Sequence, residues 1–241
     1  MLREWPAKTL FVPFGLIRIA ALNPLGASWF CDRSSTLSVS AILQRSAEVL
    51  TLAPSSLVCV SAVLALINVL SNQSSNIDQL VSVLADDVSV TALDSVLSSV
   101  KTVANLDDKV MDHCASLCVN ISLLLCKHAP PQHTPARRPN AAKLEAGRTI
   151  GDVVLKYFVR HFQDDTVDSD DAAWKHVMCQ VVCNIASNGF VKRDSESIWG
   201  PLATAMSASS SWFHHSTNSL EEVDCLLRYR GPVFEAVTST A

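Results

Sequence analysis

The residues most able to do chemistry are cysteines, aspartates and one histidine pair. Cys114 and Cys118, like Cys179 and Cys183, stand one helical turn apart, and with Cys126 and His128 the first pair has the donor types for a four-ligand zinc site. Neither pair has the tight Cys-x-x-Cys turn that preorganises zinc, and Cys114 and Cys118 flank an apolar run, so they read as small buried hydrophobes. Asp164, Asp165, Asp168, Asp170 and Asp171 have a calcium-loop density of carboxylates. They lack the glycine and the twelfth-position glutamate of that loop, and read as a solvated turn capping a helix that begins near Ala172. No phosphate-cradling glycine loop, nucleophile elbow or His-Glu-x-x-His pattern occurs, so no catalytic residue, metal or cofactor is expected. Trp212, Phe213, His214 and His215 form an aromatic cluster that is a candidate partner contact; the competing reading is a loop with packed aromatics.

Composition narrows the elements that could position these residues. Hydrophobic residues make up 49% of the 241 and charged residues 17%, which implies much buried surface or a surface that expects company. With 19 basic against 23 acidic residues and a net charge of −4, the chain has no footprint for binding a phosphate backbone, so nucleic acid is not an expected partner. Seven glycines and two tyrosines disfavour a sandwich or barrel of short strands and point to an all-α fold.

Most of the eight cysteines lie inside apolar runs, which suits a reducing compartment and an intracellular, cytoplasmic location. The rival is a secreted chain with disulfides and sequons at Asn72 and Asn120; the second falls within an apolar helix, where a glycan has no room. Residues 1–37 read as an irregular N-terminal segment, with a targeting leader as the alternative, because Arg18, Pro13 and Pro24 interrupt the apolar stretch. The longest apolar run elsewhere, 57–70, is about 14 residues, short of the ~20 that cross a bilayer. No membrane insertion is expected.

From Ser38 the pattern is helical. Val39, Ile42, Leu43, Ala47 and Leu50 recur at three- and four-residue steps, and Pro54 opens a second helix over 57–70 that is apolar nearly all round. Further helices are predicted over 77–84, 90–103 (with Asp86, Asp87 and Ser89 as N-cap chemistry) and 109–127, completing a half from 38 to 128. Four prolines over 129–140 make that stretch a linker or long loop before a second half, 141–241, with helices near 141–162, 172–186, 198–208 and 220–227.

Three buried runs share a signature. Ile67-Asn68-Val69, Val119-Asn120-Ile121 and Cys183-Asn184-Ile185 each place an asparagine before a valine or isoleucine near the end of a buried run. With the Ser/Asn-rich turns at 71–76 and 187–189, this resembles the third helix of the armadillo repeat, and Trp174 to Gly189 resembles it most. The asparagines lie 52 and 64 residues apart against roughly 42 in that repeat, and its glycine between the first two helices is missing. The resemblance implies stacked antiparallel helices in an armadillo-like α-α superhelix, with Asn68, Asn120 and Asn184 as structural, hydrogen-bonded motif residues. It implies a non-enzymatic scaffold that binds a peptide or helix of a protein partner. The alternative function is a secreted or membrane-tethered, disulfide-bonded helical stalk.

Overall fold

The computed structural model describes residues 2–71, 76–104, 109–128, 141–163, 177, 180–182, 184 and 185. The described residues are helical and contain no strand, so the protein is all-α. Two short 3-10 turns, Leu2–Glu4 and Ala7–Thr9, precede α1 (Phe11–Ala21), α2 (Pro24–Cys31), α3 (Val39–Leu52), α4 (Ser56–Ser71), α5 (Ile77–Leu84), α6 (Asp87–Ala104), α7 (Lys109–His128) and α8 (Ala141–Gln163).

Local chemistry sets the boundaries. The Ser38 hydroxyl accepts the Ala41 N–H at 3.3 Å and starts α3. At its other end Ala53 takes a left-handed φ of 42° and donates its N–H to the Val49 carbonyl at 2.8 Å, after which Pro54 forbids continuation. The Asp86 carboxylate accepts the Val88 N–H at 3.4 Å and so begins α6 three residues earlier than the pattern predicts. In α4 the buried positions Val58, Cys59, Ala62, Val63, Ala65, Leu66, Val69 and Leu70 occupy most of the circumference, because α1, α3 and α7 all pack on it.

The N-terminal segment corrects the reading of 1–37 as irregular. Pro13 is the third residue of α1 and Pro24 the first of α2, positions where a helix has no carbonyl to receive the missing N–H, so neither proline breaks anything. Leu10, Phe14 and Phe30 are completely buried in the same core as α3 and α4. Side chains lace the segment to later helices: Arg45 donates to the Trp5 carbonyl at 2.7 Å, Gln79 to the Cys31 carbonyl at 3.1 Å, and Arg33 to the Ser82 carbonyl at 3.0 Å.

Packing follows a rule of three. Each of the first five helices meets the helix three places on, α1 with α4, α2 with α5, α3 with α6, α4 with α7 and α5 with α8, while α3–α5, α5–α7 and α6–α8 also pack two places apart. The α3–α6 pair is the most extensive, and α8 also packs against α6 and α7. One continuous apolar core therefore runs from Leu2 to Ile185 across the predicted division at 129–140. That stretch lies outside the described residues, as do the helices predicted near 198–208 and 220–227. Of the helix predicted over 172–186, Val177, residues 180–182, Asn184 and Ile185 are described and helical.

Among the described residues, α7 is the one helix long and apolar enough to cross a membrane, and half of it is buried against the other helices. It is longer than the 57–70 run from which no span was expected, because the apolar count there stopped at each interspersed polar residue.

Candidate functional site

The last turns of α4 and α7 and the start of α5 frame an open cleft. Asn120, Leu123, Leu124 and Lys127 recur at three- and four-residue steps along α7 and line one wall; Leu70 and Ser71 of α4 and Ile77 of α5 line the other. The space amounts to about 60 Å³. Leu123 is 39% exposed although apolar, so the cleft has a greasy side chain at its mouth and an amide and an ammonium on the same face.

Beside the cleft, three polar side chains converge from three helices. Asp78, in the first turn of α5, meets His128 Nδ1 at 2.7 Å through Oδ1, while Lys143 of α8 donates to Oδ2. The hydrogen bond from the Lys143 ammonium outweighs the opposing effect of burial and, with a lesser contribution from His128, holds the Asp78 carboxyl below the usual carboxylate range. His128 closes α7 and is 5% exposed. Asp78 thereby orients the imidazole, as a carboxylate does in a nucleophile-activating dyad. The ring's other nitrogen, Nε2, is buried and has no hydrogen-bond partner among the described residues, so no hydroxyl or thiol is set against it there. The arrangement clamps α5, α7 and α8 together.

Cys114 and Cys118 are fully buried in α7, and burial pushes both thiols up, Cys118 further through its neighbour Cys114. Tyr157 of α8, almost fully buried, is raised in the same way, by burial first. Cys126 donates from Sγ to the Asn184 carbonyl at 3.6 Å and His128 turns to Asp78, so the four donors of the considered zinc set do not converge. Among the described residues no group of three or more His, Cys, Asp or Glu is placed to hold a metal ion. All five described cysteines, Cys31, Cys59, Cys114, Cys118 and Cys126, are thiols.

The three motif asparagines have different surroundings. Asn68 is half-buried in α4, Asn120 lines the cleft, and Asn184 donates from Nδ2 to the Ser122 hydroxyl at 3.0 Å, which itself donates to the Val119 carbonyl at 2.8 Å. Asn184 thus pins its segment to α7 at the neighbouring motif. Trp212, Phe213, His214 and His215 lie outside the described residues. The residues that sequence reasoning missed are Asp78 and Lys143, and the pairing role of His128. The only signal was the placement of Asp78 in a helix's first turn and of His128 in a helix's last.

Compared with protein-family models, with curated proteins and with solved structures, the chain finds no match.

Proposed function

We propose that the chain is a non-enzymatic, intracellular protein-binding module of the armadillo-like helical-repeat type, in which three helices make one unit. The observation that carries this reading is the packing of every helix on the one three places on, from α1–α4 through α5–α8. Stacking of equivalent helices is how a repeat array builds one core from units that cannot bury their own faces. In this frame α4 and α7 are equivalent helices, and Asn68 and Asn120 sit at nearly the same depth within them. Likewise α2 and α5 are equivalent and both have eight residues.

The cleft then lies between equivalent helices of successive units, where an array offers a continuous surface to an extended peptide. Asn120 supplies an amide for a peptide backbone, Leu123 an apolar contact and Lys127 a charge for an acidic side chain. The thiol state of the five described cysteines favours this over a disulfide-bonded stalk.

The test is site-specific photo-crosslinking in cells with benzoylphenylalanine at position 123, and at the exposed Val88 on α6 as control. A discrete protein adduct at 123, absent at 88 and weakened by Asn120→Ala or Lys127→Glu, is expected. Equal labelling at both positions, or turnover of a small molecule by the purified chain, would overturn the reading.

A further inference from the structure

One helix of the array is apolar on two sides. Pro13, Phe14, Ile17 and Ala21 of α1 face the core, and Phe11, Val12, Leu16, Ile19 and Leu22 face outwards. Leu16 is 58% exposed, Ile19 and Leu22 66% each, and Trp29 of α2 adds an indole 54% exposed. Scattered single apolar residues on a surface are ordinary; six within 19 residues are not.

Between Glu4 and Asp32 the segment's own charge has one sign. From Trp5 to Cys31 the chain has no aspartate or glutamate, although it carries 23 in all, while Lys8 and Arg18 are both there. Among the described residues neither cation makes a hydrogen bond or ion pair, and Arg18 Nε is covered without a partner. An arginine left so, at the border of an apolar face, lacks an anion.

From these observations we propose that the α1–α2 face is a peripheral membrane site, which lays its apolar side chains into the headgroup boundary of an anionic bilayer while Lys8 and Arg18 meet lipid phosphates. A helix lying in the interface buries its apolar arc, anchors with tryptophan and places cations at the flank. A second copy of the chain fits less well, because a two-fold contact of this face with itself supplies no carboxylate from 5–31 to meet Lys8 and Arg18. A single docking helix also fits less well. At about 100° per residue the outward residues of α1 span roughly 140° of a convex surface, wider than the seam one helix covers. A bilayer has no shape to match.

The experiment is flotation of the full chain with vesicles of phosphatidylcholine containing about 30% phosphatidylserine, and with phosphatidylcholine alone. The chain is expected to float with the anionic vesicles, to bind neutral ones at least about tenfold more weakly, and to lose binding at least about tenfold in the Leu16→Glu/Ile19→Glu variant. Arg18→Gln and raised salt are each expected to weaken it severalfold. Trp29→Ser, a second variant at an exposed position on α2, should also lower flotation, with far-UV circular dichroism unchanged for every variant. Absence of flotation, or flotation indifferent to these substitutions, would overturn the proposal. So would a soluble dimer or protein complex that the same substitutions dissolve, which would assign the face to a protein instead. Crosslinking at Leu123 should persist in the Leu16→Glu/Ile19→Glu variant, so failure of the lipid site and failure of the cleft are told apart.

Discussion

The cysteines offer the sharpest quantitative prediction, because burial acts on their reactivity in two separable ways. Cys31 is 1% exposed, and burial raises its pKa to about 11. At pH 8 a thiol with that pKa is ionised to about one part in a thousand, whereas an ordinary cysteine, with a pKa near 8.5, is ionised to about a quarter. Since the thiolate is the nucleophile, alkylation of Cys31 by iodoacetamide should run on the order of 10² times more slowly than that of a model thiol, before any steric shielding. Cys114 and Cys118 have no exposure at all and react only through opening of the fold, so their rates should track unfolding and rise steeply with denaturant. The assay is time-resolved alkylation read by peptide mass spectrometry, with total labelling in denaturant and without reductant as the end point. All eight cysteines of the chain should label in denaturant, and the four buried ones, Cys31, Cys59, Cys114 and Cys118, only slowly without it. Rapid native labelling of Cys114 or Cys118, or fewer than eight reactive thiols after denaturation, would refute the reading of these residues as core thiols.

Removing residues 1–37 should strip Leu10, Phe14, Ile17 and Phe30 from the core; at ~1.5–3 kcal/mol for each buried side chain this approaches the whole stability of a domain. Thermal unfolding of residues 38–241 beside the full chain checks it, and an unchanged Tm would mean that α1 and α2 are dispensable. Gly26→Ala should destabilise by about 1–3 kcal/mol in chemical denaturation, because a Cβ there would lie 2.3 Å from the Ala20 carbonyl oxygen. The Asp78 carboxyl is depressed, so its contribution is fully present above its ordinary pKa near 4 and is lost as the pH falls through its lower folded value. Because Asp78 is largely exposed, Asp78→Asn should cost less than about 1 kcal/mol at pH 6, and the gap in Tm between variant and parent should close towards pH 2.

How far the sequence could be read depended on whether the information was local. Helices 77–84 and 109–127 follow from apolar spacing and Ser/Asn or charged boundaries, and the structure places them at Ile77–Leu84 and Lys109–His128. The N-terminal helices were hidden by two prolines whose positions within a first turn cannot be judged until the helix start is known. An exposed apolar arc was equally invisible, since Leu16 and Ile19 read the same whether they face a neighbour or water. The candidate cleft was legible in one residue, Asn120, through the repeated motif. The clamp beside it was not: Asp78, His128 and Lys143 are separated by 50 and 65 positions in the chain, and only the packing of α5 against α7 and α8 brings them together.

The same rule of three that supports the repeat reading also separates the two surfaces proposed here. In an array each unit touches only its neighbours, so a side of a unit is buried only if another unit follows it. The inner side of α1 meets α4, and α4 in turn meets α7, which leaves the outward side of α1 without a helix among the described residues and apolar nonetheless. Docking that side on a lipid surface would complete the burial that stacking completes elsewhere. It would do so on the side of α1 turned away from α4, and α4 still separates α1 from the wall of the cleft that α7 provides. The cleft between α4 and α7 would then stay open to a peptide while α1 is engaged, so membrane attachment and partner binding are compatible in one molecule.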